Sequence, residues 1–205
     1  MNDRLLYNQT SEETVGRVMD TRKKDDEKQR NIKNAVVRLI LKEGFQGASI
    51  AKIAQSAGVS PATVYIYYDS KEDMLQDIYR ECIDDAVHFL MGCIRPDMSA
   101  QEIVAQLVRQ YYQYIVQNQE VFCFLEQFDT CPALYNSCQT MRGSACLTRL
   151  LAELQQKHIF GDFDTDNLYA ILFPPVERIA CHSEAGEPPE DRLDELIKMI
   201  QKALM

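Results

Sequence analysis

Apolar residues recur at helical spacing through most of the chain. Ile32, Ala35, Val36, Leu39 and Ile40 fall at i, i+3, i+4, i+7 and i+8, the pattern of one buried helical face. "EGF" at 43–45 ends that helix with a Gly where a left-handed residue is wanted. Met74, Ile78, Cys82, Ala86, Phe89 and Cys93 carry the period along a second long helix, which "RPDMS" stops. "SAQE" at 99–102 has the form of a capping box and opens a helix through about Val116. Further helices are expected at about 119–129, 132–141, 143–158, 165–183 and 189–204. The two prolines of "FPPVE" (173–177) predict a kink in the fourth of these, and Leu193, Leu196, Ile197, Ile200 and Leu204 make the last one amphipathic. No run alternates with period two between turn signals, so the expected fold is all-α.

The stretch "SIAKIAQSAGVSPATVYIYYDSKEDML" (49–75) is punctuated more densely than the rest. Ser49 is placed to cap a short helix carrying Ile50, Ile53, Ala54 and Ala57 on one face. Gly58 supplies a permissive backbone for a tight turn, with Val59 at the angle. Ser60 caps the next helix and Pro61 takes its first position, where a missing N–H costs nothing. That helix, about 61 to 67, is barely two turns long, and Ser70 and Asp73 stand in capping-box spacing after it. Two short helices joined through a Gly turn form a helix-turn-helix, a unit shaped to place its second helix in a DNA major groove.

Composition changes this picture only in part. The 205 residues and 46% apolar content suit one moderate domain or two small ones with a sizeable core. The longest apolar runs are far too short to span a membrane, and "MNDRLLYNQTSEETVG" lacks the form of a secretory signal, so a cytoplasmic location is expected. Seven cysteines without a Cys-x-x-Cys pair point to reduced thiols on apolar faces, not to a disulfide framework or a zinc site. The net charge of −9 argues against non-specific coating of nucleic acid. Its distribution is uneven: residues 22–71 carry a balance of +5, residues 72–205 a balance of −12. A small basic module adjoins a larger acidic one.

The punctuated stretch resembles the DNA-binding signature of the TetR family of transcriptional regulators over about residues 29–79. The matching elements are "GF" (44–45), "SIAKIA" (49–54), "AGVS" (57–60), "ATVYIYY" (62–68) and "SKEDML" (70–75). Tyr68 stands where the family more often has Phe, and a long extension precedes the first helix. Residues 1–21 show only a weak apolar pattern and are expected to be a frayed extension or an extra terminal helix; the resemblance implies a helix-turn-helix domain (22–71) and a helical effector-binding and dimerisation domain (72–205). It implies a double-stranded DNA operator, a homodimer through the last two helices (about 165–204) and a small-molecule effector; no cofactor or metal is expected from the residues. Ser49, Lys52, Tyr67 and Lys71 are then the phosphate-binding candidates, with Ser60 at the turn. Pro61, Ala62, Thr63 and Tyr65 are the groove-facing set, Val64 pointing inward as core. "RKK" at 22–24 reads either as a minor-groove arm or as a solvated helix start.

Aromatic and Met residues between 88 and 173 supply either core or an apolar effector pocket. The pocket candidates are His88, Met91, Tyr111, Tyr114, Phe122, Phe124, Met141, Tyr169 and Phe173. An enzyme is not expected: no Ser/His/Asp set, phosphate-cradling Gly loop or metal-ligand cluster occurs. The leading expectation is a dimeric repressor released from a palindromic operator by a small molecule. A regulator without such an effector stays open: an activator, a partner-controlled protein, or a thiol sensor using Cys131 and Cys138.

Overall fold

The computed structural model describes residues 3–130, 143–181 and 189–204. Among them the regular structure is helical: α1 (Asp3–Gly47), α2 (Ile50–Ala57), α3 (Pro61–Tyr67), α4 (Lys71–Gly92), α5 (Ala100–Gln117), α6 (Gln119–Thr130), α7 (Gly143–Gln156), α8 (Thr165–Leu172), α9 (Pro174–Cys181) and α10 (Pro189–Leu204). The helix expected at 132–141 lies outside the described residues. The chain divides into two compact units, Met1–Leu75 and Gln76–Met205.

In the first unit local chemistry places the breaks. Gly44, inside α1, has φ 70 and ψ 176, which interrupts the helix where "EGF" predicts it. The Ser49 side chain accepts from the Lys52 N–H to start α2, and Gly58 closes α2 in the left-handed region at φ 69, ψ 29. The Ser60 side chain accepts from the Thr63 N–H, with Pro61 at the first helical position of α3. Asp73 N–H and Ser70 Oγ close the predicted cap of α4. Ile32, Ala35, Val36, Ile40, Ile53, Ala54, Val64 and Met74 are fully buried, so the periodic faces read from the sequence make this unit's core. Val59 is half-buried at the turn.

In the second unit α5 packs against both α9 and α10, and α7 against α8. The capping box at Ser99 and Glu102 is complete on both arms. Glu102 therefore sits below the usual carboxylate range, because the Ser99 N–H and hydroxyl both donate to its ionised form. The "FPPVE" prolines divide the expected 165–183 helix into α8 and α9: Phe173 ends the first and Pro174 begins the second. Arg109 Nη2 meets Asp194 Oδ1 at 2.6 Å, and Gln201 Nε2 donates to the Gln101 carbonyl at 2.9 Å, aligning α10 on α5. The core runs from Leu90 and Ile103 through Leu107, Leu151, Leu172, Phe173 and Val176 to Ile197 and Ile200.

Candidate functional site

Helix α3 is seven residues long, and Val64 is its buried side chain. Pro61, Ala62, Tyr65 and Ile66 are exposed. These positions, i, i+1, i+4 and i+5, share one helical face. Tyr65 is 57% exposed and Ile66 77%, an unusual investment of apolar surface on so short a helix. Thr63 is half-buried, and its hydroxyl lies 2.9 Å from Ser60 Oγ, so it belongs to the cap as much as to the outer face. Ile66 was not foreseen among the groove-facing set.

The phosphate-binding candidates are engaged within their own unit. Lys52 Nζ binds Glu43 Oε2 at 2.6 Å and the Gly47 carbonyl at 3.2 Å. The bond from Lys52 holds the Glu43 carboxyl below its ordinary range. Tyr67 is half-buried and its hydroxyl donates to Asp25 Oδ1 at 3.1 Å, with burial first and then that carboxylate raising its pKa. Lys71 Nζ donates to the Phe45 carbonyl at 2.5 Å, supporting the broken end of α1. Ser49 and Ser60 are spent as helix caps, though both remain exposed. Arg22 and Lys23 have no described side chains.

The second unit contains a cavity of about 50 Å³ lined by residues of α4 to α9: Ile83, Ala86, Val87, Tyr111, Tyr114, Phe122, Leu125, Glu126, Leu147, Tyr169 and Glu177. It gathers Tyr111, Tyr114, Phe122 and Tyr169 of the nine pocket candidates. His88 is exposed and Met91 half-buried, and neither lines it. Phe124 and Phe173 are core instead: Phe124 packs edge-on to Phe128, and Phe173 packs edge-on to Tyr111 at 5.0 Å. Met141, Cys131 and Cys138 lie outside the described residues.

Two carboxylates at the cavity, Glu126 and Glu177, were missed. Tyr111 donates to Glu177 Oε1 at 2.7 Å. Burial pushes the Tyr111 phenol well above its ordinary range, and the charges of Glu177, Tyr169 and Glu126 add to this. Burial also raises the Cys181 thiol, with smaller contributions from Cys123, Glu126 and Glu177. Among the described residues no group of three or more His, Cys, Asp or Glu could hold a metal ion, and no helix is long and apolar enough to cross a membrane.

Two capped short helices, joined at a left-handed Gly and presenting an apolar outer face, define a helix-turn-helix protein. Residues 32–78 match the family model of the bacterial regulatory proteins, tetR family. A solved TetR family transcription regulator from Marinobacter aquaeolei VT8 superposes with a TM-score of 0.70 at 24% identity, over 89% of this chain and 98% of that one. A Bacillus subtilis transcriptional regulator solved in complex with stearoyl-CoA superposes with a TM-score of 0.64 at 18% identity, over 83% of this chain and 96% of that one. Residues 32–78 thus match the tetR-family DNA-binding module, and the chain shares the fold of these solved regulators. Over 82 residues it is 27% identical to the fatty acid metabolism regulator protein of Bacillus subtilis, a match spanning 40% of this chain and 42% of that relative's length.

Proposed function

We propose that the chain is a sequence-specific DNA-binding transcriptional regulator, a dimeric repressor that leaves a palindromic operator when a small molecule binds the Gln76–Met205 unit. The observation that carries this reading is the outer face of α3. Pro61, Ala62, Tyr65 and Ile66 offer methyls, a ring and a phenol hydroxyl on a helix pinned by caps at its start. Apolar groups of this kind meet thymine methyls in the major groove, and a hydroxyl can reach a base edge. Ser49, Ser60 and Thr63 flank that face, with Lys52, Tyr67 and Lys71 as the phosphate-side groups, and affinity from these is sequence-independent.

Dimerisation is assigned to α8, α9 and α10. Ile171 on α8 and Met199 on α10 are large exposed apolar residues, at 37% and 62%. Two copies related by a two-fold axis match a palindromic site. The effector site is assigned to the cavity beside Tyr111. A ligand that binds one conformation better than another shifts the population, and coupling to DNA binding is then on the order of 1–3 kcal/mol. A regulator of this class works in the cytoplasm, and catalysis has no part in the reading.

Selection of binding sequences from a random duplex pool at near-physiological salt tests this reading. An enriched palindrome is expected, and Tyr65→Ala should weaken binding to it. A pool that stays unenriched with ligand-free protein, verified by native mass measurement, refutes it.

A further inference from the structure

The cysteines among the described residues divide into two kinds. Cys82 is buried in the core, and Cys93, half-buried, turns its thiol to the Phe89 carbonyl at 3.2 Å. Cys123 and Cys181 are exposed and free, although a cysteine outside a disulfide is ordinarily among the most buried of residues. They also stand near each other on separate helices. Phe122, Leu125 and Glu126 of α6 and Glu177 of α9 line the same cavity, so these two helices meet at one wall. Cys123 precedes Glu126 by three residues and Cys181 follows Glu177 by four, so each thiol lies one turn along the cavity-side face of its helix. Of the charges felt at Cys181, that of Cys123 outweighs that of Glu177, one turn away on the same helix.

Two neighbouring thiols have a chemistry that neither has alone. A disulfide needs Cα atoms within about 7 Å of each other and sulfurs at roughly 2 Å. Cys181 is the last residue of α9, where the helix carbonyls have no intrahelical partners, so it can shift towards α6 without breaking the helix interior. Burial, and then the charges of Cys123, Glu126 and Glu177, raises the Cys181 thiol. That makes it a slow first nucleophile, since the thiolate is the reacting form, and the first step falls to Cys123. The Cys123 thiolate attacks one oxygen of a peroxide and the O–O bond breaks. Its sulfur is oxidised to a sulfenic acid, and the other oxygen leaves and takes a proton to become water. The Cys181 sulfur then attacks the Cys123 sulfur, the S–O bond breaks, and the hydroxyl leaves with the Cys181 proton as water. Two thiols and one hydrogen peroxide thus become one disulfide and two waters. In a reducing compartment such a bond is transient, and a thiol reductant reverses it.

We propose that Cys123 and Cys181 form a dithiol site at the rim of the Tyr111 cavity, which a hydroperoxide closes to a disulfide tying α6 to α9. The bond does not rest on the DNA-binding reading above; only its regulatory consequence does. The full-length protein is treated with stoichiometric hydrogen peroxide, its remaining thiols are alkylated, and an unreduced digest is mapped by mass spectrometry. Peptides joined through Cys123 and Cys181 are expected, from protein that runs as a monomer on a non-reducing denaturing gel. The link should vanish with dithiothreitol and persist when Cys131→Ser and Cys138→Ser are combined. Cys181→Ser should leave a dimedone-reactive sulfenic acid at Cys123, whereas Cys123→Ser should leave Cys181 reduced. Linkage of either cysteine to a different one or to another copy, or no linkage at all, overturns the proposal. Sulfenic acid at Cys181 in Cys123→Ser overturns the order of attack. Operator affinity of the oxidised and reduced samples is measured separately and should differ on the order of tenfold. Equal affinities uphold the bond and overturn the switch. Failure of both samples to bind any selected duplex refutes the DNA-binding reading and leaves the disulfide standing.

Discussion

Replacing Gly58 and Gly44 by Ala separates two kinds of positive φ that a sequence reading treats alike. A Cβ at either position meets no atom within 4 Å, so neither change is a steric clash with a neighbour. The cost is then the backbone conformation itself. Gly58, at φ 69 and ψ 29, lies in the left-handed helical region, where an L-residue is disfavoured by roughly 1–2 kcal/mol. Ala also restricts the unfolded chain, which returns about 0.4–1 kcal/mol. The net cost of Gly58→Ala is about 1 kcal/mol, and Gly58→Asn should cost less, because Asn visits this region readily. Gly44, at φ 70 and ψ 176, lies in a region used almost solely by glycine, where the penalty reaches about 3 kcal/mol and the net cost of Gly44→Ala is about 2 kcal/mol. Native-state hydrogen exchange at Ile53 and Val59 reads both, since their N–H groups donate to the Ser49 and Ala54 carbonyls. Protection should fall about fivefold in Gly58→Ala and about thirtyfold in Gly44→Ala. Equal losses, or a larger loss at Gly58, would refute the assignment of cost to the two regions.

Ile66→Ala should leave stability within about 0.5 kcal/mol, because the side chain is 77% exposed, yet weaken binding to the selected operator measured by fluorescence anisotropy. Unchanged affinity would remove Ile66 from the reading face. Lys52→Ala should lower the slope of log affinity against log salt by about one per protomer without altering the preferred sequence. The same slope in both proteins would mean that Lys52 stays with Glu43 on DNA. Tyr111 supplies a pH test. Its folded pKa lies above its unfolded value, so its stabilising contribution is complete below the unfolded pKa, about 10, and is lost as pH rises through the folded value. Alkaline urea titrations should therefore show a shallower loss of stability in Tyr111→Phe than in the wild-type protein, and equal slopes would count against the buried, carboxylate-paired phenol.

What the sequence revealed was local chemistry. Caps at Ser49, Ser60, Ser70 and Ser99, the breaks at Gly44 and Gly58, and the division at Phe173–Pro174 each depend on residues three or four apart, so they are legible in one dimension. Ile66 was missed although its signal was present. It stands about 200° around the helix from Val64, so an inward Val64 requires an outward Ile66. The cavity was only half legible, because aromatic content does not say which rings meet. Tyr111 and Tyr169 line it, while Phe124 and Phe173 have the same composition signal and are spent in the core. Glu126 and Glu177 were passed over for a physical reason: on an amphipathic helix a carboxylate ordinarily faces water, and only tertiary packing brings these two to one wall.

The engagement of Lys52, Tyr67 and Lys71 inside their own unit bears on how the proposed DNA face would be built. An exposed ion pair contributes little, about 0–1 kcal/mol, so Lys52 loses little by exchanging Glu43 for a phosphate. The exchange even has a direction, since a phosphate on the duplex brings released counterions that Glu43 does not. Tyr67 is bound to Asp25 on α1 and is half-buried, so rotating it towards DNA would forfeit burial as well as a hydrogen bond. Lys71 supports the Phe45 carbonyl at the broken end of α1. The three candidates therefore differ in kind. On the proposed reading Lys52 is a contact held in reserve, whereas Tyr67 and Lys71 tie α3 and the start of α4 to α1. On that reading, holding the helix that carries Tyr65 and Ile66 adds a positioning role to their place on the phosphate side.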